Sequence, residues 1–329
     1  MKNKRAIIIT VIAAAVVGYA AYFFHVGDYI EAAIYKPTEE MSAVMSSIKL
    51  TSKGDRVFRS ANPALESNAD FNENCKTVSK DAYVLGCYIT VSDQIHLYNV
   101  QFTEETKNLR GIIESTASHE MLHAAWSRMN TWDRASISDK LQAVYDAADK
   151  DFQNEFATYS KNEFYDELHA RVGVELKDIP EELEKHYAEY FEDRKVVVNY
   201  YEKYRTVFKE LRKKADDLAT KIQSESNSID KTTEEYKTVS NELQKKIIEF
   251  NKCSSENGCF SSVSEFNSQR ANLVNEINKV NGMYDDLTKR TNALNDLIDE
   301  YNTLVIKSDT YQNAINSKSI EKKVEEPIK

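Results

Sequence analysis

The sequence predicts a mostly helical α+β chain: a transmembrane helix, a small mixed domain with a short β-hairpin, and a long antiparallel helical hairpin. Three observations carry this. Breakers are scarce: 329 residues hold 8 glycines and 4 prolines, with no glycine between Gly173 and Gly258 and no proline between Pro180 and Pro327. A chain so poor in breakers and rich in Lys, Glu, Asn and Leu favours long helices. Two β-rich runs, "YVLGCYITV" and "QIHLYNV", flank Ser92-Asp93, as the strands of a hairpin would. From Tyr201 onward, apolar residues recur every three or four positions, which is the seam of a coiled coil.

At the N-terminus, Lys2, Lys4 and Arg5 precede an uncharged run from Ala6 to Phe24. Nineteen helical residues rise about 28 Å, close to the hydrocarbon thickness of a bilayer. The basic flank places the N-terminus in the cytoplasm and the bulk of the chain outside the cell membrane. The alternative is a cleaved signal peptide, with Gly18 and Ala20 as the small residues before a cut. Residues 1–36 are therefore read as cytoplasmic stub, anchor and juxtamembrane segment, closed by Pro37.

Residues 37–180 read as one compact domain. "MSAVMSSIKL" (41–50) has helical apolar spacing, and Gly54 and Pro63 punctuate the segment after it. Thr103, followed by Glu104 and Glu105, reads as a helix start, with that helix running to about Arg128. Further helices are expected over Ser136–Asp149 and residues 162–176.

Residues 181–315 read as the coiled-coil hairpin. One seam runs from Tyr201 to Phe250 and a second from Val263 to Ser308, separated by "CSSENGC" at 253–259. Each arm of roughly 50 residues would be about 75 Å long. A parallel coiled coil between chains is the competing reading. With the tip near residue 256, Lys246 should face residue 266 and Glu225 residue 287. That puts Arg270 beside Lys246 and away from Glu225, so no Glu–Arg pair with it is expected. Residues 316–329 read as a disordered charged tail.

The four cysteines form two local pairs, Cys75 with Cys87 and Cys253 with Cys259. An even count in an extracytoplasmic chain points to disulfides. The net charge of −10 argues against nucleic acid as a partner, since phosphate binding needs clustered Lys and Arg.

The chemistry concentrates in "SHEMLHAAW". His119 and His123 lie four apart, so on a helix they share a face and can point imidazole nitrogens at one metal ion. Glu120 can reach the water that such an ion activates. Imidazole suits zinc, and a catalytic Zn²⁺ takes three protein ligands. A third histidine six residues on is absent, because that position is Met129. A downstream glutamate must therefore complete the set. Glu167 is preferred, as Ala170 three residues on would let its helix pack close. Glu163 is the runner-up, with Glu167 then steadying a histidine. His169 is a third possibility, but it lies off the face of Glu167 and reads as a residue behind the ligands or at the surface. His25, His96 and His186 read as surface or interfacial residues.

At these residues the chain resembles the gluzincin metallopeptidases, whose pattern is HExxH with a downstream glutamate. Residues 44–195 are similar, more narrowly, to a group of small membrane-anchored bacterial proteins, through "VLGCY", "QIHLYNV", "SHEMLHAAW" and "ELHARVGVELKDIPEELEKHYAEYFEDR". The resemblance implies a zincin-like metallopeptidase domain, with His119, His123 and Glu167 as zinc ligands and Glu120 as general base. Tyr159 is the nearest residue for the oxyanion-steadying role such enzymes often give to Tyr or His. The implied substrate is a peptide or protein, and the coiled-coil arm is a candidate binding site for a protein partner. The competing function is structural: a scaffold or adhesion protein whose arm does the work, with a structural or inactive metal site.

Overall fold

The computed structural model describes residues 26–76, 84–156, 159–256 and 259–317. The expected membrane span at 6–24, together with His25, lies outside them. Among the described residues no helix is long and apolar enough to cross a membrane.

The chain is mostly helical, with a three-stranded sheet and a long helical hairpin. It divides into two compact units. The first contains the described residues up to Val207 and those from Thr310 onward; the second is Phe208–Asp309. The first unit thus runs past the expected boundary at 180, because the helix at 181 is short and packs into it.

The first unit begins with α1 (Val26–Ile34), α2 (Glu39–Ile48) and α3 (Ser52–Ser60). Thr38 and Thr51 cap α2 and α3 by accepting from the amides of Met41 and Gly54, which satisfies donors that a helix start leaves unpaired. Gly54 lies inside α3 and does not break the chain as expected. Strand β1 (Ala64–Glu66), helix α4 (Asn68–Asn74), and strands β2 (Gly86–Ile89) and β3 (Gln94–Tyr98) come next. The strand order is β1-β3-β2, with β1 parallel and β2 antiparallel to β3. The expected hairpin is therefore present, with Asp93 at φ 52° in its turn. The Cys75–Cys87 disulfide ties the end of α4 to β2.

The helix expected from Thr103 starts later. Residues 107–109 form a single 3-10 turn, and α5 runs from Ile112 to Arg128. Gly111 precedes it at φ 107°, where a Cβ would also meet the Tyr200 ring at 2.9 Å. A left-handed residue cannot continue a helix, so the acidic start at Thr103 is cut off from α5. Helices α6 (Thr131–Ala147), α7 (Lys150–Asn154), α8 (Lys161–Glu175) and α9 (Glu181–Tyr187) complete this part.

α5 is the central element. It is packed by α2, α3, α8, β2 and β3, and Ala117, Met121, Leu122 and Ala124 on it are fully buried. The core continues through Ile48, Phe58, Ile95, Leu97, Leu168, Val172, Tyr187 and Phe191. Ala170 is fully buried, consistent with close packing of α5 and α8.

Helices α10 (Arg194–Ser255) and α11 (Val263–Ile315) form the hairpin. Cys253 and Cys259 are bridged at its turn. In the second unit the seam buries Leu211, Leu218, Leu243 and Val280. The arms pair in a shifted alignment. Lys246 meets Glu276 at 2.8 Å, and Glu225 meets Arg290 at 2.7 Å. A Glu–Arg pair across the arms therefore exists, through Arg290 and not Arg270. The helix ends place the turn about three residues later than expected, which moves every facing position along the second arm. Ser317, expected in the disordered tail, is instead buried, and its carbonyl accepts from Asn68 and Asn72. The rest of the expected tail lies outside the described residues.

Candidate metal centre

His119 and His123 sit on consecutive turns of α5, and Glu167 faces them from α8. The two Nε2 atoms are 3.1 Å apart. Glu167 Oε2 lies 3.4 Å from His123 Nε2, and Oε1 lies 3.8 Å from His119 Nε2. One donor atom from each residue falls within 4.8 Å of the others, so the three could hold a metal ion. Tetrahedral ligands bound to zinc at about 2.0–2.1 Å sit roughly 3.3 Å apart, so the imidazole spacing fits such a site.

Asp166 orients the set, and sequence reasoning passed over it. Its Oδ1 accepts from His123 Nδ1 at 2.7 Å, fixing the tautomer that leaves Nε2 free as a ligand. Burial works to lower the pKa of His123, but the bonds to Asp166 and Glu167 outweigh it and hold the pKa well above the usual value. Burial likewise works to raise Glu167, and the two histidines overcome it, pulling its carboxyl far below the ordinary range. Each shift reports an arrangement in which imidazoles and carboxylate are pressed together.

Glu163 takes a different part. It is the N3 residue of α8, and its Oε2 accepts from the amide and hydroxyl of Ser160 in a capping box, which holds the carboxylate at the helix start. It lines the same cleft without entering the His-His-Glu group.

Glu120 is buried beside the histidines, and burial raises its pKa, partly opposed by His119 and His123. Gly86 on β2 makes room for it. A Cβ there would lie 2.7 Å from Glu120 Oε1 and 2.6 Å from Thr116 Cγ2. Gly86 is thus a second residue whose role the sequence concealed.

These groups open on a cleft of about 690 Å³. Residues 84–88 and Thr90 form one side, and Tyr159, Tyr201 and Tyr204 also line it. Burial and the neighbouring Glu167 push the Tyr159 pKa up, so its hydroxyl stays protonated. Among the described residues β2 is an edge strand, pairing only with β3. Tyr201 and Tyr204 come from the N-terminal part of α10, within the first unit.

No known family, curated protein or solved structure matches this chain.

Two histidines depart from expectation, and a third is buried against one of them. His169 is buried, with its Nε2 2.8 Å from that of His186. His186 is buried as well, and His96 is buried with its Nδ1 2.7 Å from Glu66. A polar residue with a dedicated partner costs little to bury, so neither His96 nor His186 is the surface group its polarity suggested.

Proposed function

We propose that this chain is a membrane-anchored, extracytoplasmic zinc peptidase of the gluzincin type. The observation that carries the reading is Glu120: a buried carboxylate beside a His-His-Glu group, within an open cleft and against an edge strand. A purely structural metal site has no use for such a base.

His119, His123 and Glu167 would hold the ion, with Asp166 fixing His123. Bound there, zinc would supply Lewis-acid polarisation of the scissile carbonyl and a more acidic water. Glu120 would be the group that holds a proton taken from water and hands it to the departing amide nitrogen. Burial favours this exchange by bringing its pKa up towards the range where one group can both accept and donate. The edge of β2 away from β3 offers backbone donors and acceptors along which an extended peptide adds as a further strand. With Gly86 under Glu120, that strand passes beside the base. Tyr159 donates from the cleft wall to the developing oxyanion.

The test is metal content. The full chain, purified in detergent without chelator, should carry one zinc per chain. His119→Ala, His123→Ala and Glu167→Ala should carry none. A wild-type chain that binds no zinc would remove the peptidase reading and leave the arm as the working part of a scaffold.

A further inference from the structure

Outside the cleft, the exposed large apolar side chains of the first unit occur on three neighbouring elements. Val26, Tyr29, Ile30 and Ile34 are exposed on α1. Val26, Ile30 and Ile34 recur every four residues and Tyr29 lies three after Val26, which places the four along one side of the helix, while α1 packs on α3. Val91 is 99% exposed in the β2–β3 turn, and Trp132 is 85% exposed in the first turn of α6. Arg128 joins these segments. Its guanidinium donates to Asp28 on α1 at 3.0 Å, to Asp93 in the turn at 3.0 and 2.6 Å, and to Ser60 on α3 at 2.9 Å. Asp28 and Tyr29 line the same cavity of about 560 Å³ as Thr131 and Asp133, which flank Trp132. Lys53, Arg56 and Arg134 line it too. Arg56 lies over the Tyr29 ring at 4.3 Å, and Arg134 donates to the carbonyls of Trp126 and Ser127.

Isolated exposed apolar residues need no explanation, but a gathered set marks an interaction surface. The chemistry here suits a lipid surface. An exposed tryptophan favours the headgroup zone, and an apolar helix face can lie at the acyl boundary. Cations beside such a face attract lipid phosphates. The uncharged run Ala6–Phe24 is separated only by His25 from Val26, the first described residue of α1. With nine residues, α1 spans only about 14 Å, so an anchor at 6–24 delivers this face to the bilayer before any other part of the unit.

We propose that the face carrying Val26, Ile30, Ile34, Val91 and Trp132 docks on the bilayer surface. The proposal rests on the reading of the chain as a membrane-anchored peptidase. Thr90, the neighbour of Val91, lines the metal cleft. Docking therefore sets that end of the cleft at the membrane, where its substrates are peptide segments emerging from the bilayer.

The chain's two tryptophans allow a direct test, since Trp126 is buried at 7% exposure. The full chain is reconstituted in vesicles of phosphatidylcholine and phosphatidylglycerol, with and without acyl chains brominated near the headgroup. Subtracting the emission of Trp132→Phe isolates Trp132. Most of that emission should be lost with brominated lipid and should be shielded from aqueous acrylamide. Emission quenched by acrylamide and unchanged by bromine would overturn the proposal. So would emission protected from both, which would mean that protein, such as a second copy, covers the face. Retention on the vesicles after an alkaline carbonate wash reads the anchor separately. A retained chain with an unquenched Trp132 refutes docking and leaves the anchor standing; a quenched Trp132 on a chain that washes off does the reverse.

Discussion

Replacing Asp166 by alanine isolates the group that aims His123. Asp166 Oδ1 is 2.7 Å from His123 Nδ1, while His123 Nε2 is 3.1 Å from its partner on His119. Without Asp166 the imidazole can rotate or change tautomer, and both must be reversed before Nε2 can bind. Loss of such a partner typically weakens a metal site by roughly 10–100-fold, or about 1.4–2.7 kcal/mol. Competition titration of the native chain against a chromophoric zinc chelator measures this. The order of loss should be Glu167→Ala first, Asp166→Ala second and Glu163→Ala last. Glu163→Ala should instead reduce thermal stability, by about 1 kcal/mol, through loss of its reciprocal cap on Ser160. An Asp166→Ala chain with wild-type affinity would refute the orienting role. A Glu163→Ala chain that lost more zinc than Glu167→Ala would move the third ligand to Glu163.

Two further predictions concern groups away from the ligands. Gly86→Ala should keep its metal but lose roughly 100-fold in peptide hydrolysis, because the added Cβ displaces Glu120 and misplacement of this kind is costly; parallel zinc analysis and peptide assays check it. Burial holds the pKa of His186 down to about 4, against 6.5 unfolded. The unfolded chain then binds more protons between these values, so stability is complete above pH 6.5 and falls as the pH drops towards 4. The loss is about 3 kcal/mol at most, from about 1.36 kcal/mol per unit. Urea midpoints of the wild type should drop more steeply over this window than those of His186→Gln, and parallel slopes would contradict the assignment.

The parts of the site that the sequence displayed are those set by local helical geometry. Four residues of helix bring His119 and His123 to one face whatever surrounds them, and Ala170 marked the side of α8 that could approach. Asp166 was hidden because Asp166 and Glu167 are adjacent, and adjacent helical residues diverge. Both reach the site only because one meets Nδ1 and the other Nε2 of the same imidazole. Gly86 was hidden because its meaning is a contact across the chain, with Glu120 and Thr116. His186 was misread for the converse reason: its partner, His169, is 17 residues away, and only the packing of α8 against α9 makes burial tolerable. The long arms were legible from their repeat, since a seam of this period admits few other structures. Their alignment was not, because it depends on where the turn between Ser255 and Val263 closes.

The central claim is that Glu120 acts as a base beside a bound zinc ion, and Glu120→Gln separates binding from chemistry. Glutamine keeps the size of the side chain and removes its capacity to take a proton. The measurement is cleavage of a mixed peptide library by wild type and variant, with zinc quantified in the same samples. The account predicts one zinc per chain in both and cleavage by the wild type alone. Cleavage by Glu120→Gln at the wild-type rate, with zinc in place, would contradict it.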